Sequence, residues 1–264
     1  MNADLKNQCV LITGASGGIG LATARLCADE GAKLVLHYHS QAQPVEQLCR
    51  DLHTPTIAVQ ADLRDEQQAD QLIAKGVKAF GQLDAIVVNA GVFHAPSVPM
   101  HEMSLGQWRQ TMAADLDSAF FTCRAFLQHL ATRPRESASI VLVGSTAAIF
   151  GEAGHADYSA AKAAMTYGLT LSLKNEIVRL APRGRVNCVC PGWTRTPMAE
   201  PGLADPDAVR RVQSTMALRR IAEPEDVAAA IVFLTSERLA GHLSGTILPV
   251  AGGMEGRLLH PDTL

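Results

Sequence analysis

The sequence predicts an α/β fold: a single Rossmann-type, doubly wound parallel sheet of about seven strands with helices on both faces. Three observations predict it. Short Val/Ile/Leu-rich runs alternate with longer stretches of helical periodicity along the whole chain. The runs are apolar at successive positions, as strands are when helices cover both faces of a parallel sheet. A glycine-rich turn follows the first run and opens into an Ala/Leu-rich helix.

Taken in order, strands are expected at residues 9–13, 33–37, 56–60, 85–89, 139–143, 185–190 and 246–249. Among the intervening helices, residues 65–80 are the clearest. Ala69, Leu72, Ile73, Val77 and Phe80 recur at helical spacing behind Asp65, a good N-cap. Strand–helix alternation implies right-handed crossovers. No linker, charge block or repeat divides the 264 residues, so one domain is expected over 1–264. Residues 191–217 follow the sixth strand and begin with a Pro- and Gly-spotted stretch. Residues 191–207 are expected to be the mobile segment and about 191–217 the substrate loop, at the carboxyl edge of the sheet, where such folds bind ligands.

Composition narrows the function classes. A formal net charge of −3 argues against nonspecific nucleic-acid binding, which needs a basic excess. No apolar run approaches the ~20 residues that span a bilayer, and a short polar segment precedes the first strand, so no membrane association and a cytoplasmic location are expected. The six cysteines form no Cys-x-x-Cys pair and read as free buried thiols; Cys188 and Cys190 are expected on opposite faces of their strand. No His-x-x-x-His spacing occurs beside a carboxylate, and no catalytic metal is expected.

The turn after the first strand reads Thr13-Gly14-Ala15-Ser16-Gly17-Gly18-Ile19-Gly20. Glycines there let backbone N–H groups approach a pyrophosphate, and the helix N-terminus adds partial positive charge. Downstream, Tyr158 and Lys162 are four residues apart and share a helix face. Tyrosine ionises near pH ~10. A neighbouring ammonium favours the tyrosinate, which suits Tyr158 to exchange a proton with a substrate oxygen. Ser145, just after the fifth strand, can hold that oxygen by a hydrogen bond.

The T-G-x-x-x-G-x-G spacing resembles the short-chain dehydrogenase/reductase family, and the resemblance recurs in order along nearly the whole chain. Asp62-Leu63 matches the family's adenine contact. Asn89-Ala90-Gly91 matches its Asn-Ala-Gly beside the cofactor, and Pro191-Gly192 with Thr194 and Thr196 matches the segment near the nicotinamide. The resemblance implies an NAD(P)(H)-dependent oxidoreductase that moves a hydride between nicotinamide and a carbonyl or alcohol, with Lys162 also bonding the nicotinamide ribose alongside Tyr158. Relatives carry an Asn where Asp115 stands here; a carboxylate near Lys162 can form an ion pair and alter the proton relay, so Asp115 joins the candidate catalytic residues. Cofactor preference rests on the end of the second strand. No carboxylate stands at Tyr38 to repel a 2′-phosphate, and His39 and Ser40 can donate to one, so NADP(H) is expected over NAD(H). His37 and His39 as mere strand-end residues is the alternative.

A substrate pocket is expected from Phe93, His94, Ala147, Ile149, Phe150, His155, Trp193 and Met198, mostly apolar; His155 either touches substrate or caps a helix. Similarity to 3-oxoacyl-acyl-carrier-protein reductases adds an acidic carrier protein to the expected partners. Arg133, Arg135, Arg179, Arg183 and Arg185 would supply its docking patch, or else cap helix ends. Small residues from Ala160 to Gly168, together with the last strand, imply a homotetramer by the same resemblance. Two other functions stay open: a dinucleotide-binding regulator with weakened catalysis, and epimerase or lyase chemistry with a retained cofactor.

Overall fold

The computed structural model describes residues 2–259. Seven strands form: β1 (Cys9–Ile12), β2 (Lys33–Tyr38), β3 (Thr56–Gln60), β4 (Ala85–Val88), β5 (Ser139–Val143), β6 (Arg185–Pro191) and β7 (Ile247–Val250). Each lies within one residue of its expected ends. Every pairing is parallel, and the order is β3-β2-β1-β4-β5-β6-β7. The chain therefore reverses its direction of winding between β1 and β4, the position at which such sheets open a crevice.

Helices α1 (Gly18–Asp29), α2 (Ala42–Asp51) and α3 (Glu66–Phe80) make the first crossovers. After β4 come α4 (Leu105–Thr111) and α5 (Ser118–Thr132), joined by a π-turn over Met112–Asp117. After β5 come α6 (Thr146–Phe150), α7 (Ala156–Ala163) and α8 (Thr170–Glu176), with a second π-turn over Ala164–Leu169. Between β6 and β7 lie α9 (Glu200–Leu203), α10 (Pro206–Ser214), α11 (Pro224–Thr235) and α12 (Glu237–Ala240). Asp65 caps α3 as expected, its carboxylate accepting the N–H groups of Gln67 and Gln68. No helix among the described residues is long and apolar enough to cross a membrane.

Successive strand residues feed two cores, which is why the strands read as unbroken apolar runs. Leu11, Ile86, Val88, Ile140 and Leu142 pack under α3 and α5. Val10, Ile12, Val87, Val141, Val143 and Val189 pack under α1, α2 and α11. Burying each such side chain stabilises the fold by roughly 1.5–3 kcal/mol. Cys188 and Cys190 depart from expectation. They share the first core, with Sγ atoms 3.8 Å apart, because strand alternation returns to the same face at every second residue.

Candidate active site

The carboxyl ends of β1, β4, β5 and β6 converge on the glycine turn. Gly14 adopts φ +63°, a left-handed conformation that favours glycine, and a Cβ there would lie 2.9 Å from Ala90 Cα. Thr13 Oγ1 accepts the N–H groups of Asn89 and Ala90, while Asn89 Nδ2 donates to the carbonyls of Thr13 and Gly14. The Thr13-Gly14 and Asn89-Ala90-Gly91 motifs are thus one hydrogen-bonded unit.

His37, buried at the end of β2, fixes the same turn from the other side. Its Nδ1 accepts the Gly14 N–H at 3.1 Å, so Nε2 carries the proton and donates to Ala61 O at 3.1 Å. Burial pushes its pKa down to about 4, which keeps the ring neutral and this tautomer in place. Gly17 is the N-cap of α1 and has no side chain to cap it. The N–H groups of Gly18, Ile19 and Gly20 bond to no protein acceptor among the described residues and face the helix's positive end, a cradle that fits a pyrophosphate. A Cβ on Gly18 would meet Thr196 Cγ2 at 2.8 Å, so the turn packs directly on the segment after β6. Ser16 lies half-buried within the turn.

Further out, Asp62 and the buried Leu63 follow β3, and His39 and Ser40 are exposed after β2. Asp62 receives Nε and Nη2 of Arg64 at 2.9 and 2.6 Å, and those bonds hold its carboxyl down at about 2. His39 Nε2 stands 3.8 Å from the same carboxylate. Arg64 is a cation at this end that sequence reasoning did not single out. Tyr38 packs against the second core, and no carboxylate takes its place.

Ser145 is the N-cap of α6, and its Oγ accepts the Ala147 N–H. Tyr158 and Lys162 lie one turn apart on α7, with Lys162 Nζ 5.6 Å from the Tyr158 ring centre. Helix α7 is anchored through Asp157, which accepts Thr111 Oγ1 at 2.6 Å and Gln107 Nε2 at 3.1 Å from α4. Phe93 meets the Tyr158 ring edge-on. Lys162 Nζ donates to Val143 O at 3.2 Å and stands 3.8 Å from Asp115 Oδ2. Asp115 is fully buried: Oδ1 accepts the Val92 N–H at 2.7 Å, and Oδ2 takes no hydrogen bond.

These charges act on one another. Burial raises the Tyr158 pKa; Lys162 and Ser145 pull it down and Asp115 pushes it further up, with a net upward direction. The expected net lowering by Lys162 is therefore corrected: in the protein's own field, loss of hydration outweighs the single ammonium. Burial alone would lower Lys162, but Asp115 and then Tyr158 more than offset it, and its pKa rises. Asp115 is itself raised by burial, against the pull of Lys162.

A family model described as enoyl-(acyl carrier protein) reductase matches residues 14–255. The chain is 36% identical, over 96% of its length and 98% of the relative's, to a cis-4-hydroxycyclohexanecarboxylate dehydrogenase of Sinomonas cyclohexanicum. It is 34% identical, over 95% and 97%, to an L-rhamnose 1-dehydrogenase (NAD(P)(+)) of Azotobacter vinelandii. The chain belongs to the short-chain dehydrogenase/reductase family. It is an oxidoreductase acting on CH–OH groups, of a family that uses NAD(P). A crystal structure of a short-chain dehydrogenase/reductase, titled glucose/ribitol dehydrogenase, from Brucella melitensis superposes with a TM-score of 0.87. It is 32% identical and covers 97% of this chain and 99% of that one.

In this short-chain dehydrogenase/reductase a cavity of 840 Å³ brings together Ile19, Asn89, Gly91, Ser145, Tyr158, Lys162, Pro191, Gly192 and Thr196. Thr194 stands off it, buried, with its hydroxyl donating to Gly192 O. Of the expected substrate pocket, Phe93, His155, Trp193 and Met198 line the cavity, whereas His94, Ala147, Ile149 and Phe150 do not. His155 sits at the N-cap of α7 without a capping bond and stacks on Phe93 instead, ring centres 4.2 Å apart. Glu152 and Asp205 also line the cavity; neither was expected.

The arginine patch is elsewhere. Arg133, Arg135 and Arg185 line a second cavity of 440 Å³ with Gln8, Asp84 and Ser139, residues that precede or begin strands. That is the amino end of the sheet, opposite the catalytic cavity. Arg185 is buried and donates to the carbonyls of Leu234, Thr235 and Ala240, closing the end of α11. Arg135 pairs with Asp84 and Arg183 with Glu237. Arg133 and Arg135 precede β5 and Arg185 begins β6, which in an all-parallel sheet places them at its amino end.

Proposed function

We propose that this chain interconverts a carbonyl and an alcohol of a free small molecule by hydride transfer, with a preference for NADP(H). When bound, the dinucleotide supplies the hydride carrier and, in its oxidised form, a positive charge near Tyr158. Ser145 hydrogen-bonds the reacting oxygen, Tyr158 gives it a proton in reduction or takes one in oxidation, and Lys162 holds the phenolate form and the ribose. The observation that carries this reading is the meeting of Ser145, Tyr158 and Lys162 with Asn89, Gly192 and Thr196 in one cavity beside the pyrophosphate cradle. The preference for NADP(H) is supported by the missing carboxylate at Tyr38 and by His39, Ser40 and Arg64 at the adenosine end. Residues 191–217, which carry α9 and α10 over the cavity, are proposed as the substrate loop of a single catalytic domain over 1–264. The carrier-protein partner loses its main support, since Arg133, Arg135, Arg183 and Arg185 lie at the far end of the sheet.

Two features support a homotetramer formed from copies of this chain. Phe120, Tyr167, Leu171 and Val178 are exposed along α5, α8 and the turns flanking α8, and a groove of 300 Å³ with apolar walls runs between α5 and α8. A second reading, a dinucleotide-binding regulator, is favoured by one observation: Asp115 faces Lys162 and weakens its pull on Tyr158.

The test is a ketone panel with NADPH and NADH, followed at the nicotinamide absorbance. Turnover is expected with tighter use of NADPH, and Tyr158→Phe is expected to lower kcat by about 10²–10⁴-fold while still binding dinucleotide. Tight dinucleotide binding without turnover across the panel would establish the regulator instead.

A further inference from the structure

Beyond the reacting end, the cavity has a distinctive charge pattern. Lys162 is the one Lys or Arg among its lining residues, and it is already engaged by Val143 O and Asp115. Two carboxylates line the same space. Asp205 is exposed at the rim and satisfied: Oδ1 accepts the Asp207 N–H that caps α10, and Oδ2 stands 3.9 Å from Arg211. Glu152 differs. It sits in the turn between α6 and α7, six residues before Tyr158, half-buried among the walls that Phe93, Trp193 and Met198 provide. Its carboxylate accepts no hydrogen bond and pairs with no cation among the described residues; only its backbone carbonyl is used, by the His155 N–H. Burial lowers the pKa of His155 beside it, which disfavours a compensating charge there.

A carboxylate placed this way loses hydration and gains no protein partner, so folding alone does not explain it. Burial pushes its pKa up, the mark of a missing donor. A bound molecule can supply one. A second negative charge on that molecule would be disfavoured, because it would meet Glu152 and Asp205 with no free cation in the lining.

We infer that Glu152 is a specificity-determining residue that accepts a hydrogen bond from a hydroxyl on the substrate remote from the reacting carbon, and that the substrates are neutral hydroxylated carbonyls or polyols rather than carboxylates. This rests on the hydride-transfer reading of the same cavity. A hydrogen bond to a charged acceptor, lost when the hydroxyl is missing, corresponds to roughly a 10- to 100-fold change in binding.

Three ketones of one skeleton test it: cyclohexanone, 4-hydroxycyclohexanone and 4-oxocyclohexanecarboxylate. Each is titrated calorimetrically into the Tyr158→Phe full-length protein saturated with NADPH, so that binding is read whether or not turnover occurs, and kcat/KM is measured in parallel on the unmodified enzyme. The hydroxylated ketone is expected to bind at least about tenfold tighter than cyclohexanone and the carboxylate weakest. Adding Glu152→Leu should erase the hydroxyl preference, bringing 4-hydroxycyclohexanone to the affinity of cyclohexanone or below it. Adding Glu152→Gln, which keeps shape and an acceptor but removes the charge, should raise carboxylate affinity. Absence of a hydroxyl preference, or a preference that survives Glu152→Leu, overturns the inference. Absence of turnover for all three ketones counts against the hydride-transfer reading, and the calorimetric order then still decides the role of Glu152.

Discussion

Asp115 shows how one side chain resets a site. Its carboxylate is buried, bonded to the Val92 N–H and 3.8 Å from Lys162. It raises both Lys162 and Tyr158, so replacing it with Asn removes an upward push on the phenol. Alcohol oxidation needs the tyrosinate and therefore rises with pH through the Tyr158 pKa. Asp115→Asn is expected to move that rising limb to lower pH, as read from kcat/KM profiles between neutral and alkaline pH; an unmoved limb removes Asp115 from the relay. Asp115→Ala also leaves the partly buried Val92 N–H without its carboxylate partner, which should cost about 1 kcal/mol in denaturant unfolding, whereas Asn can keep that bond. At this scale the catalytic trio was legible because Tyr158 and Lys162 share a helical spacing and Ser145 ends a strand. Glu152 was not, since a lone glutamate in a turn has no periodicity, and only the path from α6 to α7 aims it at the cavity.

At the scale of an element, the glycine turn depends on a residue outside it. The spacing Thr13 to Gly20 announced the turn in sequence, but nothing there revealed that His37, one strand away, would accept the Gly14 N–H and donate to Ala61. That bond joins β1, β2 and the end of β3, and it requires a neutral ring. The folded pKa of about 4 lies below the ordinary histidine value of 6.5. The associated stability is complete above pH 6.5 and is lost as pH falls toward 4, because the unfolded chain takes up the proton first. The loss is on the order of 3 kcal/mol. The unfolding free energy of the natural chain should therefore decline more steeply from pH 6.5 to 4 than that of His37→Asn, which has no titrating ring. Parallel slopes for the two proteins would show that the ring does not stay neutral in the folded state. The π-turn at Met112–Asp117 was equally hidden, since one residue inserted into an otherwise regular helix leaves the apolar pattern almost unchanged.

Across the whole molecule, the sheet was legible because each strand buries both faces. Leu11 feeds one core while Val10 and Ile12 feed the other, and the same division recurs at Ile86 and Val87. Chain order in an all-parallel sheet also puts residues that precede or begin a strand at its amino end, so the far position of Arg133, Arg135 and Arg185 was legible too, and the docking patch assigned to them had overlooked it. The outer surface makes a last prediction. Phe120 is 46% exposed and Leu171 38%, on helices whose other faces are buried, with Leu127, Leu169 and Leu173 lining the groove between them. Apolar side chains gathered on one helical face are costly in water and suit a two-fold contact, in which the same patch meets itself. Multi-angle light scattering should give a tetramer for the natural chain. A charge placed on the exposed surface of α8 by Leu171→Asp should yield smaller species, because each two-fold contact would bury a pair of like charges. Since the catalytic cavity lies at the carboxyl edge and not on this face, the dissociated variant should still bind NADPH; a tetramer unaffected by Leu171→Asp would place the subunit contact elsewhere.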